Sequence, residues 1–284
     1  MAMTKPPNHC PEWDPESANR VQISLIDVKR AYFNAQVDQD KTPCYVALPC
    51  EDPDAPHMCG KLLKHMYGTR MAADGWQEEY STTLIEFGFV QGLANPNVFY
   101  HPLRGIYCSV HGDDFTSSGP KPQLDWMENA IAEKYEISIA PRMGPGMQDA
   151  KEGKILNRII HWTPEGIEME ADPRQVETLI EECGLDGAKP VSTPGTKSGS
   201  KEIQDDKELP ARLHTAFRGA SARGNYLAAD RIDAQFACKE ICRHMSTPTE
   251  LSWKALKRVG RYFYGKPRLV YVYPKQSVDH IDIC

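Results

Sequence analysis

The stretch Ser109–Gly119, "SVHGDDFTSSG", decides how this 284-residue chain is read. A glycine and two adjacent aspartates lie between two runs of β-forming and small residues, "GIYCSV" before and "FTSS" after. That is a strand–turn–strand pattern. Asp and Gly favour tight turns for backbone reasons alone, so an isolated Gly-Asp-Asp reads first as an ordinary hairpin tip. Only carboxylates arriving from another part of the chain would make it a metal site.

Upstream, Val21–Ile26, "VQISLI", reads as a buried strand ending at Asp27. "VKRAYFNAQV" is helix-like, "CYVALP" a short strand and "DPDAPHMCG" a loop. Lys61–Phe87 carries a helical apolar pattern through Trp76, Tyr80, Leu84 and Phe87, broken near Gly68. "NVFYHP" is a further short strand. Downstream, Pro122–Tyr135 has the pattern of an amphipathic helix, and Lys154–Trp162 with Ile167–Ala171 reads as a hairpin around "TPEG". Asp172 caps a helix that has Pro173 at its first position and Gly184 at its close. Lys189–Gly199, "KPVSTPGTKSG", has a linker composition, and from Arg212 the pattern is helical. The order predicts an α+β fold: a tail at 1–20, an antiparallel sheet with helices on one face over 21–188, a linker at 189–211, and a mainly helical module at 212–284.

With 40% hydrophobic and 25% charged residues the composition is that of a globular protein able to bury a core. No apolar run has the length of a membrane span and no signal core opens the chain, so an intracellular protein, cytoplasmic or nuclear, is expected. Nine cysteines without a disulfide framework fit a reducing compartment; Cys238 and Cys242 share a helical face but have no second ligand pair, and buried free thiols are expected. The net charge of −6 is unevenly spread. From Arg212 to Arg268 twelve Lys and Arg stand against four Asp and Glu. Such a basic module on an acidic body suits a phosphate backbone, and a solvated helical face equally. Arg218, Arg223, Arg243, Lys257, Arg258 and Arg261 are the candidate backbone contacts, giving salt-dependent, sequence-independent binding.

Nucleotidyl transfer joins a 3′-hydroxyl to an α-phosphate, with two divalent ions about 3.5–4 Å apart. Magnesium prefers oxygen ligands and is held by a few carboxylates together with substrate phosphates. Asp27 at a strand end and Asp113/Asp114 at a hairpin tip supply three, provided the strands are neighbours. Without a metal, adjacent carboxylates repel and one should resist ionisation.

"IDVKRAYFNAQV" and "YCSVHGDDFTSSG" resemble the first palm motif and the Asp-Asp hairpin of copia-type retrotransposon reverse transcriptases. "KLLKHMYGTRMAADGWQEEY", "GLDGAKPVSTP" and "YLAADRIDAQFACKEICRHMSTPTELSWKALKRVGRYFYGKP" resemble later segments of the same polyproteins, in order, so the likeness covers most of Val21–Pro267. The resemblance implies a reverse-transcriptase palm followed by a thumb or connection module, and RNA-directed DNA synthesis. It implies Asp27, Asp113 and Asp114 as ligands of two Mg²⁺ ions, with Mn²⁺ as substitute. Tyr32, five residues after Asp27, matches the ring that excludes a ribose 2′-hydroxyl, with Val28 and Phe33 beside it at the nucleotide. Core packing is the plainer reading of Tyr32 and Phe33, and Trp76 and Tyr67 read as structural. The implied partners are a primed RNA or DNA template and deoxynucleotide triphosphates, with no membrane.

The chain departs from the pattern in several places. His111 and Gly112 stand where the family has a tyrosine and an apolar residue, and a flexible glycine is expected to loosen the hairpin. Met71, Ala72 and Ala73 replace a Gln-Ala-Pro. Only 26 residues precede Asp27, where the family carries a longer fingers region, and no ribonuclease H cluster follows; a protein partner or the rest of a polyprotein is expected to supply both. Three other readings compete: an RNA-directed RNA polymerase, disfavoured by Tyr32 where those enzymes place an acidic residue; a metal-dependent nuclease; and a catalytically silent relic that binds nucleic acid or a protein partner.

Overall fold

The structure is a computed structural model that describes residues 14, 16–55 and 57–274. Most of the 1–20 tail, Cys10 and Cys284 lie outside these residues. Within them the chain forms two compact units, one reaching to Lys151 and including Trp162–Gly166, the other made of Glu152–His161 and Ile167–Tyr273.

The first unit is organised by β1 (Val21–Val28), whose β-branched run "VQISLI" pairs with strands on both sides. Its sheet also contains β4 (Val90–Gln91), β5 (Val98–His101), β6 (Ile106–His111), β7 (Asp114–Pro120) and β8 (Ile137–Ile139). The order is β4-β5-β6-β7-β1-β8, antiparallel throughout. Alternation along β6 sends Ile106, Cys108 and Val110 inward and Tyr107, Ser109 and His111 outward. The inward row joins Phe99, Phe115 and Ile26 in a core closed by Trp76, Tyr80 and Leu84 of α1 (Ala72–Glu86) and Leu124, Met127 and Ile131 of α2 (Lys121–Lys134). The helices therefore cover one face of an antiparallel sheet, as the sequence pattern predicts.

Three local readings are corrected. The helix expected across 61–87 begins only at Ala72, because Cys59–Leu62 is a strand, β3, paired with β2 (Cys44–Ala47). The helix-like "VKRAYFNAQV" gives a single 3-10 turn, Ala31–Asn34, entered through Arg30 at φ 53°. Lys154–Trp162 is not one strand but the hairpin of β9 (Glu152–Ile155) and β10 (Arg158–Trp162), turning at Leu156–Asn157.

The second unit contains β9, β10, β11 (Gly166–Ala171) and β12 (Val270–Pro274) in the order β12-β11-β10-β9, although Trp162 and Gly166 at the β10–β11 turn cluster with the first. Its helices are α3 (Pro173–Glu182), α4 (Ser200–Gln204), α5 (His214–Leu227), α6 (Gln235–Cys242) and α7 (Glu250–Gly265). Asp172 caps α3 as the sequence indicates, accepting from the Arg174 N–H at 3.1 Å. Val176 and Leu179 of α3, with Leu185, share a core with Phe217, Ile241, Leu256, Val259 and Phe263. At Gly260 a Cβ would stand 2.4 Å from the Leu185 side chain, so α7 and the end of α3 approach only through a glycine. By packing, Glu152–His161 and the residues from Ile167 onward group with the helices that follow.

Residues 189–199 are irregular, as their composition suggests, yet anchored. Arg261 donates to the Lys189 carbonyl (2.7 Å) and Arg258 to the Thr193 hydroxyl (2.9 Å). Arg231, 1% exposed, donates to Asp233 and to the Lys266 and Pro267 carbonyls and lies over the Phe263 ring. Cys108, Cys183 and Cys238 are buried thiols, and burial pushes Cys108 and Cys238 up to about 12; Cys50 and Cys59 are exposed, against expectation. No helix among the described residues is long and apolar enough to cross a membrane.

Candidate metal centre

Near the end of β1, Asp27 lies directly opposite Asp114, the first residue of β7, and His111 opposes Asp114 from β6. The three therefore lie in one cross-strand row on the face of the sheet away from the helices. Asp113 occupies the two-residue turn between β6 and β7. One oxygen from each of Asp27, Asp113 and Asp114 lies within 4.8 Å of the others. The aspartates predicted from sequence are thus brought together, Asp27 and Asp114 exposed and Asp113 half-buried.

No cation of the protein neutralises this cluster among the described residues. Lys29 and Arg30, the nearest bases in sequence, pair with Glu136 instead. Burial, then the charges of Asp113 and Asp27, hold the Asp114 carboxyl above the usual aspartate range, with His111 acting in the opposite sense. Converging, unneutralised oxygen donors are the ligand set that suits hard divalent ions such as Mg²⁺ or Mn²⁺. The residues present fit such an ion.

The hairpin is firmly anchored, which corrects the expectation that Gly112 loosens it. Gly112 has φ 63°, the left-handed region that favours glycine. Its carbonyl accepts the Trp76 indole N–H at 2.7 Å, and the Asp113 carbonyl accepts the Val28 N–H at 2.9 Å.

Around the cluster, Tyr32 is half-buried against the sheet core, and its ring lies 4.4 Å from that of Tyr67, centroid to centroid. Phe33, 41% exposed, meets Tyr67 edge-on at 5.7 Å. Tyr67 is itself half exposed, and burial, then the Asp113 charge, raise its pKa; it borders the cluster and was missed as a site residue. Its place beside Tyr32 could have been suspected only from their both being aromatic. Val28 points the other way: its side chain lies wholly in the core and its N–H is bound to the Asp113 carbonyl.

Each of the six basic candidates has a partner within the chain. Arg218 donates to the Met245 and Ser246 carbonyls, Arg223 to Glu182 and Gln175, and Arg243 to Glu240. Arg258 and Arg261 hold the 189–199 strap, and Lys257 lies over the Trp253 ring.

No family model matches the chain. It is 28% identical over 257 residues to the retrovirus-related Pol polyprotein from transposon RE2 of Arabidopsis thaliana, and 27% over 252 residues to that from transposon RE1 of the same plant. Each match covers 86% of this chain and 16% of the polyprotein. The polyprotein from transposon TNT 1-94 of Nicotiana tabacum is 22% identical over 258 residues. Over most of its length, then, this chain is similar to a segment of retrotransposon Pol polyproteins.

Proposed function

We propose that the chain carries a reverse-transcriptase palm whose reaction is template-directed DNA synthesis, transferring a deoxynucleotide to a primer 3′-hydroxyl. The observation that carries this reading is the convergence of Asp27 from β1, Asp114 from the adjacent β7 and Asp113 from the β6–β7 turn. These three residues would hold two divalent ions. Bound there, the ions supply activation of the attacking hydroxyl and charge neutralisation at the phosphate. Tyr32, held half-buried by the core, presents a ring at the fifth position after Asp27, where bulk excludes a 2′-hydroxyl by steric clash. The similarity to Pol polyproteins supports a retroelement origin for this centre.

Primer extension on an RNA template with deoxynucleotides and Mg²⁺ tests the reading. Extension by the parent, and its loss by at least about 10³-fold in Asp113→Asn/Asp114→Asn, is expected for an electrostatic centre of this kind. A second reading, a catalytically silent fold retained for binding a protein partner, is favoured by the internal pairing of Arg218, Arg223, Arg258 and Arg261. It requires a folded parent with no extension and no salt-dependent affinity for primed template.

A further inference from the structure

Two-residue hairpin turns that suit the twist of antiparallel strands come in two forms. In type II′ only the first central residue has positive φ; in type I′ both do. The forms differ in the orientation of the central peptide, which is nearly reversed between them, while the flanking strands stay in place. This molecule contains both patterns. Leu156 and Asn157, at φ 48° and 62°, give the I′ signs between Ile155 and Arg158. Between His111 and Asp114, Gly112 has φ 63°, whereas Asp113 is not among the described non-glycine residues with positive φ, giving the II′ signs.

The residue types at 112–113 do not enforce that choice. Glycine adopts either form, and aspartate tolerates the left-handed region better than most residues. Reversing the central peptide would give Asp113 a positive φ and re-aim its Cβ, taking its carboxylate away from Asp27 and Asp114. The carbonyl of that central peptide belongs to Gly112, and it is the one that accepts the Trp76 indole at 2.7 Å. The following peptide is held through the Asp113 carbonyl by Val28. Trp76 is 1% exposed and is packed edge-on against Tyr80 and Tyr135, so its N–H direction is fixed by the α1 core.

We infer that Trp76 is a positioning residue: its indole N–H holds the Gly112–Asp113 peptide in the II′ form and thereby keeps the aspartate pair in register with Asp27. The inference rests on the metal-centre reading for its consequence, though not for the turn itself. Trp76→Phe keeps an aromatic ring and deletes the donor. The comparison is Tyr135→Phe, which removes a hydroxyl bonded to Thr83 and Glu79 in the same core without touching the turn.

Two readouts on the full chain decide the matter. In the parent, the nuclear Overhauser contact of the Asp113 N–H is expected with Gly112 Hα; in Trp76→Phe it is expected to move to the Gly112 N–H. Retention of the Hα contact in the variant overturns the inference. Mn²⁺ titration followed by electron paramagnetic resonance is expected to show affinity about tenfold weaker in Trp76→Phe, the scale of lost outer support in metal sites, and unchanged in Tyr135→Phe. Equal weakening in both variants overturns the positioning role. A parent that binds Mn²⁺ no better than Asp113→Asn/Asp114→Asn refutes the metal centre instead, and the Overhauser contact then still decides the role of Trp76 in the turn. Should Trp76→Phe not fold, the parent's Trp76 indole proton is read directly: slow exchange supports the bond, and exchange at the rate of a free indole overturns it.

Discussion

Asp114 sits where burial and two neighbouring carboxylates all disfavour its charge. An acid whose folded pKa lies above its unfolded value binds more protons in the native state between the two, so stability falls as pH rises through that window. The penalty is absent in strong acid and complete at neutral pH. Asp114→Asn removes it, so the variant is expected to melt above the parent at pH 7 without divalent ion, and to lose that advantage near pH 3. Adding Mg²⁺ should raise the parent's midpoint and leave the variant's unchanged; thermal melts across pH with and without Mg²⁺ check both. The three aspartates were legible in the sequence because a strand end and a turn tip fix where such residues project. Gly112 was misread because the partner that fixes its turn, Trp76, lies 36 residues away. Val28 faces inward, as its alternation with Asp27 directs. The six bases were legible as charge, but a count of charge carries no information on Glu182, Glu240 or the carbonyls that engage them.

At the scale of elements, the long alternating strands and the capped helix α3 were read correctly because burial and capping leave a pattern in the sequence itself. β3 was hidden because its ribbon with β2 is only half-buried on its inner side, so the alternation is weak, and "KLLKHM" is helix-prone by composition. The β9–β10 turn was hidden for a different reason. It places Leu156 in the left-handed region, where leucine is disfavoured by about 1–2 kcal/mol. Leu156→Asn/Asn157→Gly supplies the residues this turn favours and is expected to stabilise the chain by about 1 kcal/mol, seen as a higher urea midpoint at unchanged slope.

For the whole molecule, the second unit depends on one buried cation. Arg231 joins Asp233 to the carbonyls that follow α7, and Asp233 also accepts from the Tyr262 hydroxyl. Arg231→Met keeps most of the volume but leaves Asp233 without its counter-ion, so a loss of about 3–5 kcal/mol is expected. Because the chain forms two units, that loss should appear in calorimetry as a lower transition for one of them, the other unmoved; a uniform shift of a single transition would contradict it. The division into units also bears on synthesis. Every strand of the six-stranded sheet, with α1 and α2, lies between Val21 and Ile139, so the ribosome has delivered all its parts while α5 to α7 are still untranslated. The helices that share a core with α3 arrive last, and until α5 and α7 have both emerged Val176, Leu179 and Leu185 are incompletely covered apolar surface. The nascent chain thus carries a sheet with its three aspartates already assembled ahead of a sticky, unfinished half, the stage at which a chaperone would find the most to hold.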